Sequence, residues 1–269
     1  MEEIKVKTIG VISLKGGVGK TSVVAALGAA IAGFGKKVLL VDANFSAPNL
    51  GLHLDLIDPE VSLQDVLSRK ANINQAIYKL DDFDLIPSSI VYRSEINVLK
   101  LKDKINILKK RYDVILIDSS PSLNEETLAV ILASDELLVV TTPDYPTLGM
   151  TMKSVKIARQ RGTPISGLII NKVYKKNFEL SLEDVERTAE VPVMAVIPHD
   201  VSVLKALSEF TPSTVHKPKS EASQEYNRLA ASLIGEEYKP VKLKRFFRWI
   251  NPKKQDINRT IFYKSCFED

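Results

Sequence analysis

The chain has 269 residues, is 45% hydrophobic and carries a formal net charge of +4, but seven bases without an acid lie within residues 239–254. The remainder therefore has a net charge of −3, which argues against a broadly nucleic-acid-binding body, and no apolar run reaches the roughly 18 residues of a membrane-spanning helix. The single cysteine, Cys266, excludes an internal disulfide and an all-cysteine metal centre, as expected for a protein of the reducing cytosol.

Short apolar and β-branched runs alternate with helical patterns along the chain. Strands are predicted at residues 8–13, 37–42, 83–87, 113–118, 136–141, 166–171 and 193–197. Helices are predicted at residues 21–33, 62–69, 97–111, 125–134, 146–161, 182–190, 203–209 and 220–234. Because several strands are continuously apolar, they should be buried on both faces, which predicts an α/β fold with a doubly wound, mainly parallel sheet and helices on both faces. The alternation ends near Gly235, so a folded domain is expected over residues 1–235 and a basic tail over 236–269.

The stretch VISLKGGVGKTS, residues 11–22, begins as a strand, passes through a glycine-rich loop and continues as a helix. Glycines let backbone N–H groups point into one concavity, and the helix N-terminus adds partial positive charge, so the loop is suited to phosphate. The expected nucleotide contacts are Gly16, Gly17, Val18, Gly19, Lys20, Thr21 and Ser22. Lys20 would reach the β- and γ-phosphates, and the Thr21 hydroxyl would bind Mg²⁺. A purely structural glycine turn is the alternative, and the Gly-Lys-Thr sequence in this context argues against it.

The loop departs from the general G-x-x-x-x-G-K-[ST] pattern, because Leu14 takes the place of the first glycine and Lys15 follows directly. This K-G-G-x-G-K-[ST] form resembles the deviant Walker A loop of the MinD/ParA family of P-loop ATPases, and the resemblance covers most of residues 8–235. It implies a P-loop ATPase domain that forms an ATP-dependent homodimer. In that dimer Lys15 would reach the partner's phosphates and stabilise charge during hydrolysis. An exposed lysine without such a role is the alternative.

Two predicted strands end in carboxylates. Asp118, in YDVILIDSSPSL, would hold Mg²⁺ as a Walker B aspartate does. Asp42, in LLVDANFSAP, matches the first carboxylate of the D-x-D stretch in the family, where it supports the metal. Asn44 stands where the family has a second carboxylate that positions the attacking water. An amide is not a general base at neutral pH, but its carbonyl oxygen can align a water, so slow hydrolysis is expected. A helix cap for Asp118 and a turn residue without nucleotide contact for Asn44 are the alternatives.

The stretch NKVY, which begins at Asn171, starts like the guanine-specific N-K-x-D motif but has Tyr174 at the fourth position. Without the aspartate, guanine loses the partner of its N–H donors, so ATP is the expected nucleotide, with Asn171 binding adenine through its amide. The family resemblance also implies that the adenine pocket is lined by the backbone of three residues, Pro198, His199 and Asp200. His199 is interpreted as a residue of the pocket rim rather than a catalyst.

In the basic tail, apolar residues recur with helical spacing between Pro240 and Pro252, which predicts an amphipathic helix at about residues 241–251. The expected membrane contacts are Leu243, Lys244, Arg245, Phe246, Phe247, Arg248, Trp249 and Ile250. This stretch resembles the membrane-targeting helix of MinD-like proteins, which implies a cytoplasmic protein bound peripherally to the anionic inner face of the cell membrane. A helix docked on the domain and a nucleic-acid-binding tail are the alternatives.

Together these features predict a MinD-like ATPase that cycles on and off the membrane and acts in spatial positioning, in cell division or at a cell pole. It would work with an activator or cargo protein that the sequence does not identify. One alternative is a ParA-like DNA-partitioning ATPase, which the net charge of −3 outside the tail disfavours. The other is a nucleotide-gated scaffold in which Asn44 has removed turnover.

Overall fold

The computed structural model describes residues 7–92, 94–238 and 253–267. Within these ranges the strands are β1 (Lys7–Ile12), β2 (Val38–Ala43), β3 (Tyr78–Lys79), β4 (Asp84–Ile86), β5 (Val114–Ser119), β6 (Glu136–Thr141), β7 (Ile165–Val173) and β8 (Val193–Pro198). The α-helices are α1 (Lys20–Ala32), α2 (Leu63–Leu67), α3 (Leu101–Leu108), α4 (Glu125–Ala133), α5 (Tyr145–Gln160), α6 (Leu182–Ala189), α7 (Val201–Ser208), α8 (Ser213–His216), α9 (Glu221–Ile234) and α10 (Lys254–Phe267). Short 3₁₀ turns lie at Leu52–Leu54, Ile73–Ala76 and Val98–Lys100.

The described strands form one sheet in the order β3-β4-β2-β5-β1-β6-β7-β8. Every neighbouring pair is parallel except β3 and β4, which are antiparallel. One apolar core lies between the sheet and α2 to α6, and a second lies under α1 and α9 on the opposite face. This arrangement confirms the predicted doubly wound α/β fold, because helices cover both faces of a mainly parallel sheet.

The continuous apolar runs explain the centre of the sheet. All six residues of β2 and all six of β5 are buried, as expected for strands with helices on both sides. Their register places Asp42 beside Asp118 at the carboxyl ends of the two strands. Loops at this edge of a parallel sheet form the usual ligand crevice, so the fold brings the two predicted metal-site carboxylates to one place.

The structure differs from the predicted elements mainly at short segments. Strand β3 was not predicted, since it has two residues and pairs in antiparallel fashion only with β4 at the edge of the described sheet. Helix α8 was also not predicted, because four residues are too few to show a helical period. The helix predicted at residues 97–111 is shorter in the structure, where a 3₁₀ turn leads into α3.

Helix α10, which the residue pattern did not predict, packs against β8 and α9. The guanidinium of Arg259 is buried, and it donates to the carbonyl of Met194 at 2.6 Å and to the carboxylate of Glu225 at 2.9 Å. Asn258 donates to the carbonyl of Val193 at 2.8 Å. Residues 253–267 are therefore attached to the domain by polar contacts, whereas the amphipathic helix predicted at residues 241–251 lies outside the described residues.

The end of α10 lies beside the first strand. The ammonium of Lys7 is 4.6 Å from the ring centroid of Phe267 and donates to the carbonyl of Leu233 at 3.2 Å. Gly235 ends α9 with φ +74°, and a Cβ at this position would come within 2.9 Å of the Phe267 ring. A glycine is therefore required here by the backbone and by the contact. In the described part of the chain, none of the helices has both the length and the apolar character needed to span a membrane.

Candidate nucleotide-binding site

The glycine-rich loop joins the carboxyl end of β1 to the start of α1. Gly17 and Gly19 have φ values of +78° and +92°, which glycine adopts without steric strain. Gly19 is the N-cap of α1 and supplies no side-chain cap, so the first N–H groups of the helix stay available to an anion. The local sequence thus builds a concave donor surface at the positive end of a helix.

A cavity opens above this loop, at the carboxyl edge of the sheet. It is lined by many of the predicted site residues: Gly16, Gly17, Gly19, Lys20, Thr21, Ser22, Asn44, Asn171, Pro198, His199 and Asp200. Val18 points instead into the core under α1 and is 2% exposed. Lys15 is exposed, and its backbone N–H donates to the hydroxyl of Ser13 at 3.2 Å.

The predicted metal ligands meet beside the loop. The Thr21 hydroxyl donates to Oδ2 of Asp118 at 2.6 Å, and Oδ1 of the fully buried Asp118 has no hydrogen-bond partner among the residues that the structure describes. Burial raises the pKa of Asp118 above its usual range, although the Thr21 hydroxyl and the Lys20 ammonium act against this shift. A hydroxyl and an unsatisfied buried carboxylate oxygen are hard ligands of the kind that Mg²⁺ binds, so the residues present fit this ion.

Asp42 is fully buried and organises the loop that follows β2. Its Oδ1 accepts the N–H of Asn44 at 3.1 Å, and its Oδ2 accepts the N–H groups of Asn49 at 3.1 Å and Leu50 at 3.0 Å. Burial, followed by the proximity of Asp118, raises the pKa of Asp42. Three backbone donors occupy this carboxylate, so Asp42 fixes the loop that follows β2.

Asn44 lies at the cavity wall with its amide oriented by one contact. Its Nδ2 donates to the carbonyl of Ala47 at 2.6 Å. Its Oδ1 is buried and has no hydrogen-bond partner in the described residues. A buried acceptor without a partner is unfavourable unless a water or ligand satisfies it. The orientation therefore leaves the carbonyl oxygen free for a water, as the sequence-based hypothesis requires.

Lys20 is 7% exposed and interacts electrostatically with Asp118. Burial lowers the pKa of Lys20 from its ordinary value, and the Asp118 carboxylate acts in the opposite direction. A phosphate in the cavity would supply a second counter-charge to this buried ammonium. The lysine is thus placed for the predicted contact with phosphate.

The far end of the cavity contains the residues predicted to bind the base. The amide nitrogen of Asn171 donates to the carbonyl of Val18 at 2.8 Å, so this nitrogen contacts the phosphate loop. One N–H of the amide is therefore occupied, and the prediction that Asn171 binds adenine through its amide concerns the second N–H and the carbonyl oxygen. The ring of His199 stacks on that of Tyr174 with centroids 4.4 Å apart, and Asp200 caps α7.

The sequence did not reveal three polar residues near the site. Lys172 donates to the carbonyl of Gly17 at 2.7 Å. The Ser46 hydroxyl donates to the carboxylate of Glu126, which links the loop after β2 to the start of α4. His53 lines the cavity, and burial lowers the pKa of its imidazole. The NK dipeptide at 171–172 was the available signal for Lys172, whereas the contacts of the other two depend on the fold.

A glycine-rich loop between a buried strand and a helix, followed by Lys-Thr and faced by an aspartate from a neighbouring parallel strand, defines a P-loop nucleotide-binding domain. Residues 6–164 match a family model described as an AAA domain. The chain is 36% identical over 233 residues to an uncharacterized ATP-binding protein of Methanocaldococcus jannaschii, covering 86% of this chain and 88% of that protein. The chain belongs to the MinD/ParA family of deviant Walker A ATPases.

Two solved structures share this fold over most of their length. One is the cell division ATPase MinD of Pyrococcus furiosus, with a TM-score of 0.80 and 34% identity, covering 83% of this chain and 96% of that one. The other is the septum site-determining protein MinD of Pyrococcus horikoshii in complex with Mg-ADP, with a TM-score of 0.81 and 32% identity, covering 85% and 96%. The predicted fold and family are thereby confirmed.

Proposed function

We propose that the chain is a MinD-like ATPase that binds Mg-ATP in this cavity, dimerises around the nucleotide and associates reversibly with an anionic membrane surface. The observation that carries the nucleotide part is the buried Asp118 carboxylate, with one oxygen on Thr21 and the other without a partner in the described residues, next to the buried Lys20. The similarity to a MinD protein that binds Mg-ADP supports this assignment.

Hydrolysis needs an aligned water and stabilisation of the charge on the transferred phosphoryl group. Lys20 would bind the β- and γ-phosphates, and Thr21 with Asp118 would hold Mg²⁺, which neutralises phosphate charge when bound. Oδ1 of Asn44, which has no partner in the described ranges, would accept a hydrogen bond from the attacking water. Lys15, exposed in the single chain, would act on the phosphates of a partner subunit.

Slow turnover follows from the use of an amide at position 44. Asn44 aligns the water but does not take its proton, so the chemical step depends on positioning and on the surrounding charge. The nucleotide-bound dimer would therefore be long-lived. A scaffold that never hydrolyses ATP remains the competing proposal, and a single-turnover measurement with radiolabelled ATP separates the two.

The membrane part rests on the sequence of residues 243–250. A base near an anionic surface contributes about 1 kcal/mol, so one short helix should bind weakly and reversibly. Two copies in a dimer bind together, and avidity gains of about 10²-fold are typical. Of the seven bases in residues 239–254, Lys254 is already paired with Glu186 at 2.6 Å. Nucleotide binding would thus control how long the protein stays on the membrane, because a dimer binds with two helices and a monomer with one.

Vesicle sedimentation tests this proposal with the full chain. Because α10 packs on β8 and α9, the control is the double variant Phe246→Ser/Phe247→Ser rather than a truncation. Wild-type protein with ATP should sediment with phosphatidylglycerol vesicles, and the emission of Trp249, the only tryptophan, should shift to the blue. The ADP form and the double variant should stay in the supernatant.

Equal sedimentation in ATP and ADP would disprove nucleotide control of membrane binding. Salt-sensitive binding to random duplex DNA in ATP, without vesicle binding, would instead favour the ParA-like alternative. The activator or cargo protein, and a role in cell division or at a pole, belong to the same proposal and follow from the similarity to MinD proteins.

A further inference from the structure

Strand β7 has a bulge in its pairing with β8 near its carboxyl end, where it borders the cavity. Ile170 pairs with Val196 and Val173 pairs with Pro198, so the two residues Asn171 and Lys172 stand opposite a single residue of β8. Lys172 has φ +57°, a left-handed conformation that is unfavourable for a residue with a side chain. Bulges of this kind redirect side chains and are frequent beside functional sites, and a strained residue persists where surrounding contacts hold it.

Both redirected side chains donate to backbone carbonyls of the phosphate loop. Nδ2 of Asn171 is 2.8 Å from the carbonyl oxygen of Val18, and Nζ of Lys172 is 2.7 Å from that of Gly17. The fit is close at Gly19, where an added Cβ would come within 2.5 Å of the Asn171 nitrogen. Two consecutive carbonyls of the loop are thus held by two consecutive residues of β7.

These contacts orient the donors on the inner side of the loop. A trans peptide is planar, with its C=O and N–H pointing in opposite directions. The carbonyl of Gly17 shares a peptide plane with the N–H of Val18, and the carbonyl of Val18 shares one with the N–H of Gly19. A carbonyl fixed outward therefore turns the corresponding N–H inward, toward the space that the phosphates would occupy.

We propose that Asn171 and Lys172 are positioning residues of the phosphate loop, which hold two peptide planes in the orientation that binds phosphate. On this proposal Asn171 contributes to nucleotide affinity through the loop, irrespective of the base. The proposal rests on the nucleotide-binding part of the proposed function and is independent of the membrane part.

Binding measurements with three ligands test the role of Asn171. Titration calorimetry in Mg²⁺ should show that Asn171→Ala weakens ATP, GTP and inorganic tripolyphosphate by similar factors of about 3 to 10, the range expected for one lost hydrogen bond. A loss confined to ATP would show that Asn171 acts on the base and would overturn the proposal. Lys172→Met should give a similar loss for all three ligands, and Lys172→Arg should largely restore binding.

NMR order parameters of backbone N–H groups in the protein without nucleotide separate positioning from charge. The order parameters of the Val18 and Gly19 N–H groups should be lower in Asn171→Ala and in Lys172→Met than in the wild type. The matched control is Lys175→Met, since Lys175 also has a positive φ of 60° but pairs with Glu221 at 3.1 Å. It should leave both order parameters and affinity unchanged.

Unchanged order parameters in Lys172→Met, together with an affinity loss that disappears at high salt, would show that Lys172 acts by charge alone and would refute the proposal. The order parameters are measured on the free protein, so they test the positioning role even if the wild type bound no nucleotide. In that event the proposed function would fail while lower order parameters in the variants would still support the positioning role.

Discussion

The substitution Asn44→Asp tests the proposed role of Asn44 in aligning the water that attacks ATP. It replaces the buried amide by a carboxylate of nearly the same shape, which is the group that the family resemblance implies at this position. The Oδ1 that lacks a partner in the described residues becomes part of a charged acceptor. The Nδ2 that donates to the carbonyl of Ala47 at 2.6 Å is lost.

These two changes act on different quantities. A positioned general base contributes about 10²- to 10⁴-fold in many enzymes, but phosphoryl transfer depends mostly on positioning and charge. We therefore expect the hydrolysis rate to rise about 10- to 100-fold, a reduction of the barrier by about 1.4 to 2.7 kcal/mol. The lost hydrogen bond and the third carboxylate beside Asp42 and Asp118 should lower the free energy of unfolding by about 1 to 3 kcal/mol.

The assay is single-turnover hydrolysis of Mg-ATP, with thermal unfolding of the nucleotide-free protein measured in parallel. Asn49→Asp is the matched control, because Nδ2 of Asn49 also donates to Ala47, at 2.8 Å, but its side chain is exposed. The control should lose stability without the gain in rate. If the rate of Asn44→Asp is unchanged or lower, the reasoning on the water is wrong.

Two further predictions concern stability. The nucleotide-free protein should lose stability as the pH rises from about 5 to 8, because the folded chain keeps Asp42 and Asp118 protonated to higher pH than the unfolded chain does. A melting temperature that rises over this range would contradict this prediction. So would a melting temperature that depends on pH equally steeply in the wild type and in Asp118→Asn. The substitution Arg259→Leu removes one partner of the buried Glu225 and should lower the free energy of unfolding by about 3 kcal/mol, whereas Arg187→Leu at an exposed ion pair should change it by less than about 1 kcal/mol. Equal effects of the two arginine substitutions in chemical denaturation would refute the second prediction.

The sequence alone was sufficient to predict features for which the local residue pattern and the chemistry of the site indicate the same structure. The seven predicted strands are all present, because a strand buried on both faces has an apolar run that few other structures require. The placement of Thr21 beside Asp118 also followed from the sequence, since the carboxyl ends of parallel strands and the loop after β1 meet at one edge.

Other features depend on contacts that no local pattern encodes. Helix α10 was not predicted because its buried positions are the polar residues Gln255 and Arg259, so the apolar period of a helix is missing. The burial of Arg259 depends on its contacts with β8 and α9. The bulge at Asn171 and Lys172 is a matter of register with β8, which a single strand does not specify. For the same reason, the sequence showed the amide of Asn171 but not that its nitrogen is directed to Val18.

The contact between Lys7 and Phe267 also makes the protein suited to circular permutation. The start of the first strand and the last turn of α10 lie side by side, so a short linker would close the described chain into a ring. New termini in an exposed loop, such as the one at Ile90 and Val91, would then leave every strand of the described sheet continuous. Fluorescent labels at the new termini of such a permutant would lie close to the region after β4. The chain would remain continuous through the phosphate loop and through β7.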